Sequence, residues 1–331
     1  MTTNGRRSDR TLALAELRGA QKLIVITHEN PDGDAIGSLV AMQGILSALG
    51  KDCLMFIAPG DLPLPEEYRF FPLDGLVSDP PADLDERTVV FLDCGKLDRN
   101  PAEAFRRPGT HILDVDHHHD NTRFGTVNLV VSEASCTAEI VWDLMGALGV
   151  KPTLTVAEAL YVGLITDTGR FMYENTGRQA HLMAADLIDA GVDVQDLYRR
   201  IYEDVPYGKL VLLARGLSNV ERYDDGRLTI TALRASDFRD SGAEESYSEG
   251  VVDYLRAVEG TAVAALIRDR MGDGQAGSRK VSLRAGDDRV DVSAIARAQG
   301  GGGHRQAAGF TTGLSDTELV RFLREQLAAQ L

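Results

Sequence analysis

The sequence predicts an α/β protein in which an N-terminal doubly wound, mainly parallel sheet is joined by a helical connector to a smaller α/β domain. Three observations carry this prediction. Short apolar runs alternate with helical patterns through the first half of the chain, as strand–crossover–strand units require. The alternation gives way to polar helical sequence near Asp193, and strand patterns resume after about Asn219. A length of 331 residues fits two domains of roughly 100–200 residues each. The expected boundaries are residues 1–192 for the first domain, 193–220 for the connector and 221–331 for the second domain.

Leu23–Thr27 is a strand-like apolar run closed by a Gly/Pro/Asp turn. Leu39, Met42, Leu46 and Leu49 then recur at 3,4,3 spacing, which is one face of a helix, and Gly50 stops it. Cys53–Ile57, Thr88–Leu92, His111–Val115 and Thr126–Val131 are the next strand candidates. Ser135–Leu148 reads as a helix, and Ala157–Ile165 as another running into a polar motif. From Asp193 to about Asn219 the pattern is helical and interrupted at Pro206, which suits a connector. In the second domain Leu228–Ala232, Ala262–Arg268 and Lys280–Arg284 read as strands, with a glycine-rich turn over Met271–Ser278. Val292–Ala298 is a short helix, a glycine run follows, and a last helix covers about Ser315–Gln330.

Composition narrows the function classes. An apolar fraction of 44% supplies enough hydrophobic surface to fold, which excludes a mainly disordered chain. A net charge of −15 argues against gripping long nucleic acid, which needs a basic stripe along its phosphates. It leaves a small anionic substrate open, because a local metal site reverses the field where it matters. No apolar run approaches the ~20 residues of a membrane helix. The stretch Met1–Arg10 is polar and basic, with no signal-type apolar region behind it. Three cysteines, Cys53, Cys94 and Cys136, are too few for a disulfide framework. The expectation is a cytoplasmic protein with reduced thiols and no membrane partner.

Four clusters carry chemistry. His28-Glu29-Asn30-Pro31-Asp32-Gly33-Asp34 leaves the first strand candidate, and Leu92-Asp93 ends a second. Asp114-Val115-Asp116-His117-His118-His119 ends a third, and Thr166-Asp167-Thr168-Gly169 follows an apolar run. A single Asp at a strand end is ordinarily a turn or cap residue. Several such groups leaving different strands of one open sheet converge instead on the crevice at its carboxyl edge. Carboxylates gathered there repel one another and need a positive counterpart. Carboxylates mixed with imidazoles and no thiolate favour a divalent ion, Mn²⁺ or Mg²⁺ rather than structural zinc. Carboxylates shared between two ions would make a two-metal site of the kind that serves phosphoryl transfer to water. In the second domain, Gly300-Gly301-Gly302-Gly303-His304 is either a flexible turn or a loop whose bare backbone N–H groups approach a phosphate.

These motifs resemble the DHH-superfamily phosphoesterases, named for the triplet seen here as Asp116-His117-His118. His28-x-x-Pro31-Asp32-Gly33-Asp34 is similar to the first motif of that family, Leu92-Asp93 to its second and Thr166-Asp167-Thr168-Gly169 to its fourth. The stretch Gly300–Phe310 is similar to the glycine-rich signature of the DHHA1 domain, the usual partner of a DHH domain, and Val281–Arg284 to the strand before it. The resemblance runs from about residue 18 to 331 and is nearest to the oligoribonuclease and pAp phosphatase group. That group degrades very short RNA and removes the 3′-phosphate of adenosine 3′,5′-bisphosphate (pAp); some of its relatives cleave cyclic di-AMP or its linear product pApA.

The resemblance implies two divalent ions, foremost Mn²⁺ with Mg²⁺ or Co²⁺ as alternatives. It implies His28 and Asp32 on one ion, Asp34, His117 and Asp167 on the other, and Asp93 bridging. His118 would face the substrate phosphate or the leaving oxygen, and Asp116 would orient an imidazole. His119 has no role to transfer and is expected at the surface. The ions would acidify a water that attacks in line, and His118 and Asp93 would be the catalytic side chains. Arg284, Gly302, Gly303 and His304 would grip a terminal phosphate, so that the second domain selects short substrates. Expected partners are therefore short RNA oligonucleotides, pAp or a cyclic dinucleotide, and the resemblance also implies a homodimer. Cyclic di-AMP or pApA turnover in second-messenger signalling is the alternative function. A family II inorganic pyrophosphatase lacks the Gly300–His304 signature, and a purely binding module would not need the full ligand set.

Overall fold

The computed structural model describes residues 3–270, 277–303 and 305–331, with the backbone alone over residues 3–8. The chain divides into two compact units, Met1–Asp204 and Val205–Leu331.

The first unit runs α1 (Thr3–Gly19), β1 (Lys22–Ile26), α2 (Gly33–Ala48), β2 (Asp52–Phe56), β3 (Leu76–Val77), β4 (Thr88–Leu92), β5 (Ile112–Asp116), β6 (Val127–Val130), α3 (Thr137–Leu148), α4 (Leu154–Asp167), α5 (Arg178–Asp189) and α6 (Val194–Tyr202). The strands form one sheet in the order β3-β2-β1-β4-β5-β6, parallel at every pairing. The chain therefore winds outward from β1 in one direction and, after returning to β4, outward in the other. That reversal between β1 and β4 opens the crevice in which sheets of this kind bind ligands.

Both faces of the sheet are covered, which is why β1 and β4 at its centre are apolar after their first residues rather than alternating. Leu23, Val25, Val90, Leu92, Leu113 and Val115 pack into a large core with the apolar faces of α2, α3 and α4. The residues between them, Ile24, Ile26, Val89, Phe91 and Ile112, face a second cluster built around Phe56, Phe105 and Leu84. Asp32 caps α2, accepting the backbone N–H groups of Asp34 and Ala35 at 3.1 Å each. Gly149, at φ +74, ends α3.

The second unit runs α7 (Tyr207–Ser218), β7 (Glu221–Tyr223), β8 (Leu228–Leu233), α8 (Ala235–Ser241), α9 (Val251–Arg256), β9 (Val263–Asp269), β10 (Arg279–Ala285), α10 (Val292–Arg297), β11 (Gly302–Gly303), β12 (Ala307–Thr312) and α11 (Asp316–Ala328). Its sheet has the order β11-β12-β10-β9-β8-β7 and is mixed, with only β8 and β9 parallel. Val281, Leu283, Ala308 and Phe310 turn one face of it toward Ile295 of α10 and Leu319 and Leu323 of α11. β12 lies where the sequence reading passes straight from glycine run to last helix. Its Ala-Ala-Gly start has weak strand character, and its pairing with β10 supplies what local propensity does not. The segment 193–220 holds α6 and α7, one in each unit.

Candidate metal centre

The carboxyl ends of β1, β4 and β5, with the end of α4, bring the acid and imidazole groups together. His28 leaves β1 and is 6% exposed. Its Nδ1 donates to the Glu29 carbonyl at 2.7 Å, which directs the Nε2 lone pair toward Asp93. Arg99 Nη2 also lies 3.2 Å from that Nδ1; with the proton committed to Glu29, this second contact is electrostatic proximity. Asn100 ties the loops after β4 and β1 by donating to the Thr27 carbonyl at 2.6 Å.

Asp93 follows β4 in a left-handed conformation, φ +57, that side chains other than Asn and Asp rarely adopt. It is 2% exposed and lies 3.6 Å from His28 Nε2, His117 Nε2 and His118 Nδ1. These separations exceed a normal hydrogen bond. For His28 and His117 they come near the spacing of two donors sharing one ion, which at about 2.1 Å from it lie roughly 3–3.5 Å apart, whereas His118 Nδ1 is taken up by Asp116.

Asp34 is buried at the start of α2. It accepts the backbone N–H groups of Thr137 (2.6 Å) and Ala138 (2.9 Å) from the first turn of α3, where the helix presents its positive end. Thr137 also donates its hydroxyl to Asp93 at 3.0 Å. α4 passes close enough that a Cβ on Gly163 would stand 2.8 Å from Asp34 Oδ1, so only glycine fits there. Asp167 ends α4, with its Oδ2 at 3.7 Å from His117 Nε2.

Among the described residues, three sets offer ligand atoms within 4.8 Å of one another: His28, Asp32 and Asp93; Asp34, His117 and Asp167; and Asp93, His117 and His118. Every metal-ligand candidate from the sequence belongs to at least one set. Asp116 stands beside them, fully buried, accepting His118 Nδ1 at 2.7 Å and the His117 N–H at 2.8 Å. His119 is exposed. Cys94 is fully buried, its Sγ lies 3.1 Å from the Lys96 carbonyl, and it belongs to none of these sets.

The charges show what the cluster lacks. Burial and the charges of Asp93, Asp167 and Asp32 push the Asp34 carboxyl well above its ordinary range. Burial raises Asp167 to about 7; His117 opposes this, and Asp93 and Asp32 reinforce it. Burial would also raise Asp93, but His28, His118 and His117 hold it low. His118 resists the effect of burial through its bond to Asp116 and the charge of Asp93, and rises to about 9. A group of carboxylates that cannot all ionise without a counter-cation, with oxygen and imidazole donors at shared-ligand spacing, fits divalent ions.

Sequence reasoning missed several contributors. Thr137 and Ala138 act through backbone N–H groups that no motif marks. Asn121 donates to Asp116 Oδ2 at 2.7 Å, fixing the carboxylate that holds His118. Asn175 donates to the Asp167 carbonyl (3.1 Å) and Oδ2 (3.3 Å). In the second unit, Arg284 on β10 is half-buried and its Nε donates to Asp253 at 3.3 Å. Gly302 and Gly303 form the exposed strand β11. His304 and most of the glycine-rich turn over Met271–Ser278 lie outside the described residues.

Comparison with known proteins agrees with this geometry. The model of the DHH family, N-terminal domain, matches residues 22–164, and that of the DHHA1 domain matches 226–329. The bifunctional oligoribonuclease and PAP phosphatase NrnA of Thermus thermophilus is 36% identical over 87% of this chain and 83% of its own length. An exopolyphosphatase-related protein from Bacteroides fragilis superposes with a TM-score of 0.88 at 23% identity, covering 98% of this chain and 96% of that one. The exonuclease RecJ bound to manganese superposes with a TM-score of 0.54 at 15% identity, over 100% of this chain and 95% of that one. With four motifs gathered at one sheet edge and both family models matched in order along the sequence, the chain belongs to the DHH family, as a DHH N-terminal domain followed by a DHHA1 domain.

Proposed function

We propose that this protein is a phosphohydrolase that degrades very short oligoribonucleotides to mononucleotides and dephosphorylates pAp to AMP with two divalent ions, foremost Mn²⁺. The observation that carries the reading is the convergence of His28, Asp32, Asp93, Asp34, His117 and Asp167 at one strand-edge crevice. The 36% identity to a protein named for both activities supports the substrate class. Manganese is supported by the oxygen-rich donor set and by the manganese-bound exonuclease of the same fold.

In this reading His28 and Asp32 would hold one ion and Asp34, His117 and Asp167 the second, with Asp93 available to both. Bound there, divalent ions supply an acidified water and neutralise charge on the phosphate oxygens. The chain's own groups do the rest. The α3 N-terminus fixes Asp34, and Thr137 fixes Asp93, so that the ligands are preorganised. Asp116 holds His118, and His118 as imidazolium carries the proton that the leaving oxygen needs. The first domain is proposed to catalyse. The domain from residue 221 onward is proposed to select substrate, with Arg284, Gly302, Gly303 and His304 on a terminal phosphate.

The test is Mn²⁺-dependent turnover of pAp, pApA and cyclic di-AMP, compared by product chromatography. Rapid release of AMP from pAp and pApA with slow attack on the cyclic form is expected. Faster opening of cyclic di-AMP than of pApA would overturn the substrate assignment. For the selector role, His304→Ala is expected to slow pApA turnover; unchanged turnover would refute it.

A further inference from the structure

The loop after Asp167 is built for something besides holding a cation. Gly169, Arg170 and Phe171 are three consecutive left-handed residues, at φ +54, +63 and +65. Two of them carry side chains that disfavour this conformation. The turn is nevertheless pinned. Arg170 N–H donates to the Ile165 carbonyl at 2.8 Å, and those of Met172 and Tyr173 donate to the Thr168 carbonyl at 3.0 Å. Asn175 ties the far side of the loop to Asp167 itself. Phe171 turns inward and stacks on His181 with ring centroids 5.1 Å apart. The turn throws outward Met172, 81% exposed, and Tyr173, 54% exposed.

Tyr173 is seated rather than loose. Its Cζ, Cε1 and Cε2 atoms lie 2.4, 2.5 and 2.6 Å from the point that a Cβ on Gly169 would occupy. An edge contact would bring Cζ much nearer than its two neighbours, so the near equality places the glycine over the face of the ring. One face of the ring therefore rests on the peptide, and the exposed half of the side chain presents the other to solvent. Arg170 stands beside it as a fixed cation, its guanidinium 5.2 Å from the Tyr202 ring centroid.

We propose that Tyr173, extended by Met172, is a stacking platform for a nucleobase of the substrate whose phosphate lies at the metal centre. The inference rests on the phosphohydrolase reading above. A flat, preseated π-face is what a base needs and what an enzyme of little sequence preference uses, since every base offers a π-face. The location fits: the Tyr173 N–H is bonded to the carbonyl of Thr168, the residue after metal-ligand candidate Asp167, so the ring and that candidate share one pinned loop. The neighbouring guanidinium suits a ligand that carries phosphate.

The experiment compares steady-state turnover of pApA with that of two analogues in which one or the other base is replaced by an abasic sugar. The full-length wild type is set beside Tyr173→Ala, Tyr173→Leu, Tyr173→Phe and Tyr173→Trp. The expected result is a KM for pApA raised about tenfold in the alanine and leucine variants, from the loss of one stacked base. The phenylalanine and tryptophan variants retain the wild-type KM. Tyr173→Leu still covers Gly169, so its defect is not a collapsed loop. In the wild type one abasic analogue shows the same rise, and in Tyr173→Ala the preference for pApA over that analogue collapses. An unchanged KM in Tyr173→Ala, or a phenylalanine variant as impaired as alanine, overturns the platform and leaves the phosphohydrolase reading standing. An unchanged KM with an altered mass in solution would mark Tyr173 as a protein interface instead. A wild type that turns over neither pApA nor pAp takes down both.

Discussion

Replacing Gly163 by alanine tests whether the centre depends on the close approach of α4 to α2. The new methyl would stand 2.8 Å from Asp34 Oδ1 and 2.7 Å from the Ala138 Cβ, where ordinary contacts begin near 3.4 Å. Asp34 cannot simply swing away, because its two oxygens are held by the Thr137 and Ala138 N–H groups at 2.6 and 2.9 Å. Overpacking of this kind costs about 1–3 kcal/mol. The better helix propensity of alanine returns up to ~1 kcal/mol. The net loss of about 0–2 kcal/mol corresponds to a fall in Tm of at most roughly 8 °C for a unit the size of Met1–Asp204. The larger effect is on function. A shift of Asp34 by half an ångström or more would move a proposed ligand of the ion assigned to Asp34, His117 and Asp167, and misplacements on the order of 1 Å cost up to ~100-fold in rate. Differential scanning fluorimetry and kcat for pApA at saturating Mn²⁺ measure the two effects. Gly146→Ala is the control: Gly146 is an exposed glycine of α3 with no neighbour within 4 Å of the added Cβ. It should gain up to ~1 kcal/mol and keep full activity. A Gly163→Ala variant with wild-type kcat and an unchanged metal requirement would refute the placement of Asp34 as a ligand.

Four further outcomes follow from the proposed metal centre. Saturating Mn²⁺ at about 100 times its Kd should stabilise the protein by about 2.7 kcal/mol per site, a Tm rise of roughly 5–10 °C for one site, read by calorimetry with and without chelator. Asp167 is held above its ordinary value of 3.8, at about 7, so folding makes it bind its proton more tightly. Its contribution is therefore present at low pH and lost as pH rises from about 4 to about 7, and the metal-free protein should lose stability across that window. Metal must displace the same proton, so apparent Mn²⁺ affinity should climb with pH until about 7; a flat affinity from pH 5 to 8 would contradict the assignment. Asp167→Asn should accordingly raise the Tm of the metal-free protein at neutral pH while shrinking its rise on adding Mn²⁺. A variant that loses stability in both states would show that Asp167 serves packing instead.

Much of the centre was legible because its ligands sit at ends of strongly patterned elements. After their first residues β1 and β4 are apolar, so His28 and Asp93 stand out as the first ionisable groups beyond them. Asp34 was legible as part of a Pro-Asp-Gly-Asp turn opening an apolar helix. Asp32 is a reminder that the bland explanation also holds: it caps α2 and belongs to a ligand set at once. The supporting groups were not legible. Thr137, Asn121 and Asn175 are ordinary polar residues whose meaning depends on which loop folds beside which strand end. Arg99 enters only because Asn100 ties its loop to Thr27. In the second unit, β12 escaped because small residues carry little strand signal, and α8 and α9 because each spans two turns or less.

If the gathered carboxylates and imidazoles hold divalent ions that drive phosphoester hydrolysis, removing the ions or Asp93 must abolish turnover. The most direct measurement is pApA and pAp turnover by the wild type and Asp93→Asn, each stripped with chelator and then reloaded with Mn²⁺. Asp93 lies 3.6 Å from three imidazole nitrogens and belongs to two of the three ligand sets, so its loss should disable the whole centre. The stripped wild type should show no turnover and recover on adding Mn²⁺, and Asp93→Asn should not recover. Turnover that survives chelation, or an Asp93→Asn variant that recovers with the wild type, would contradict that role of the ions.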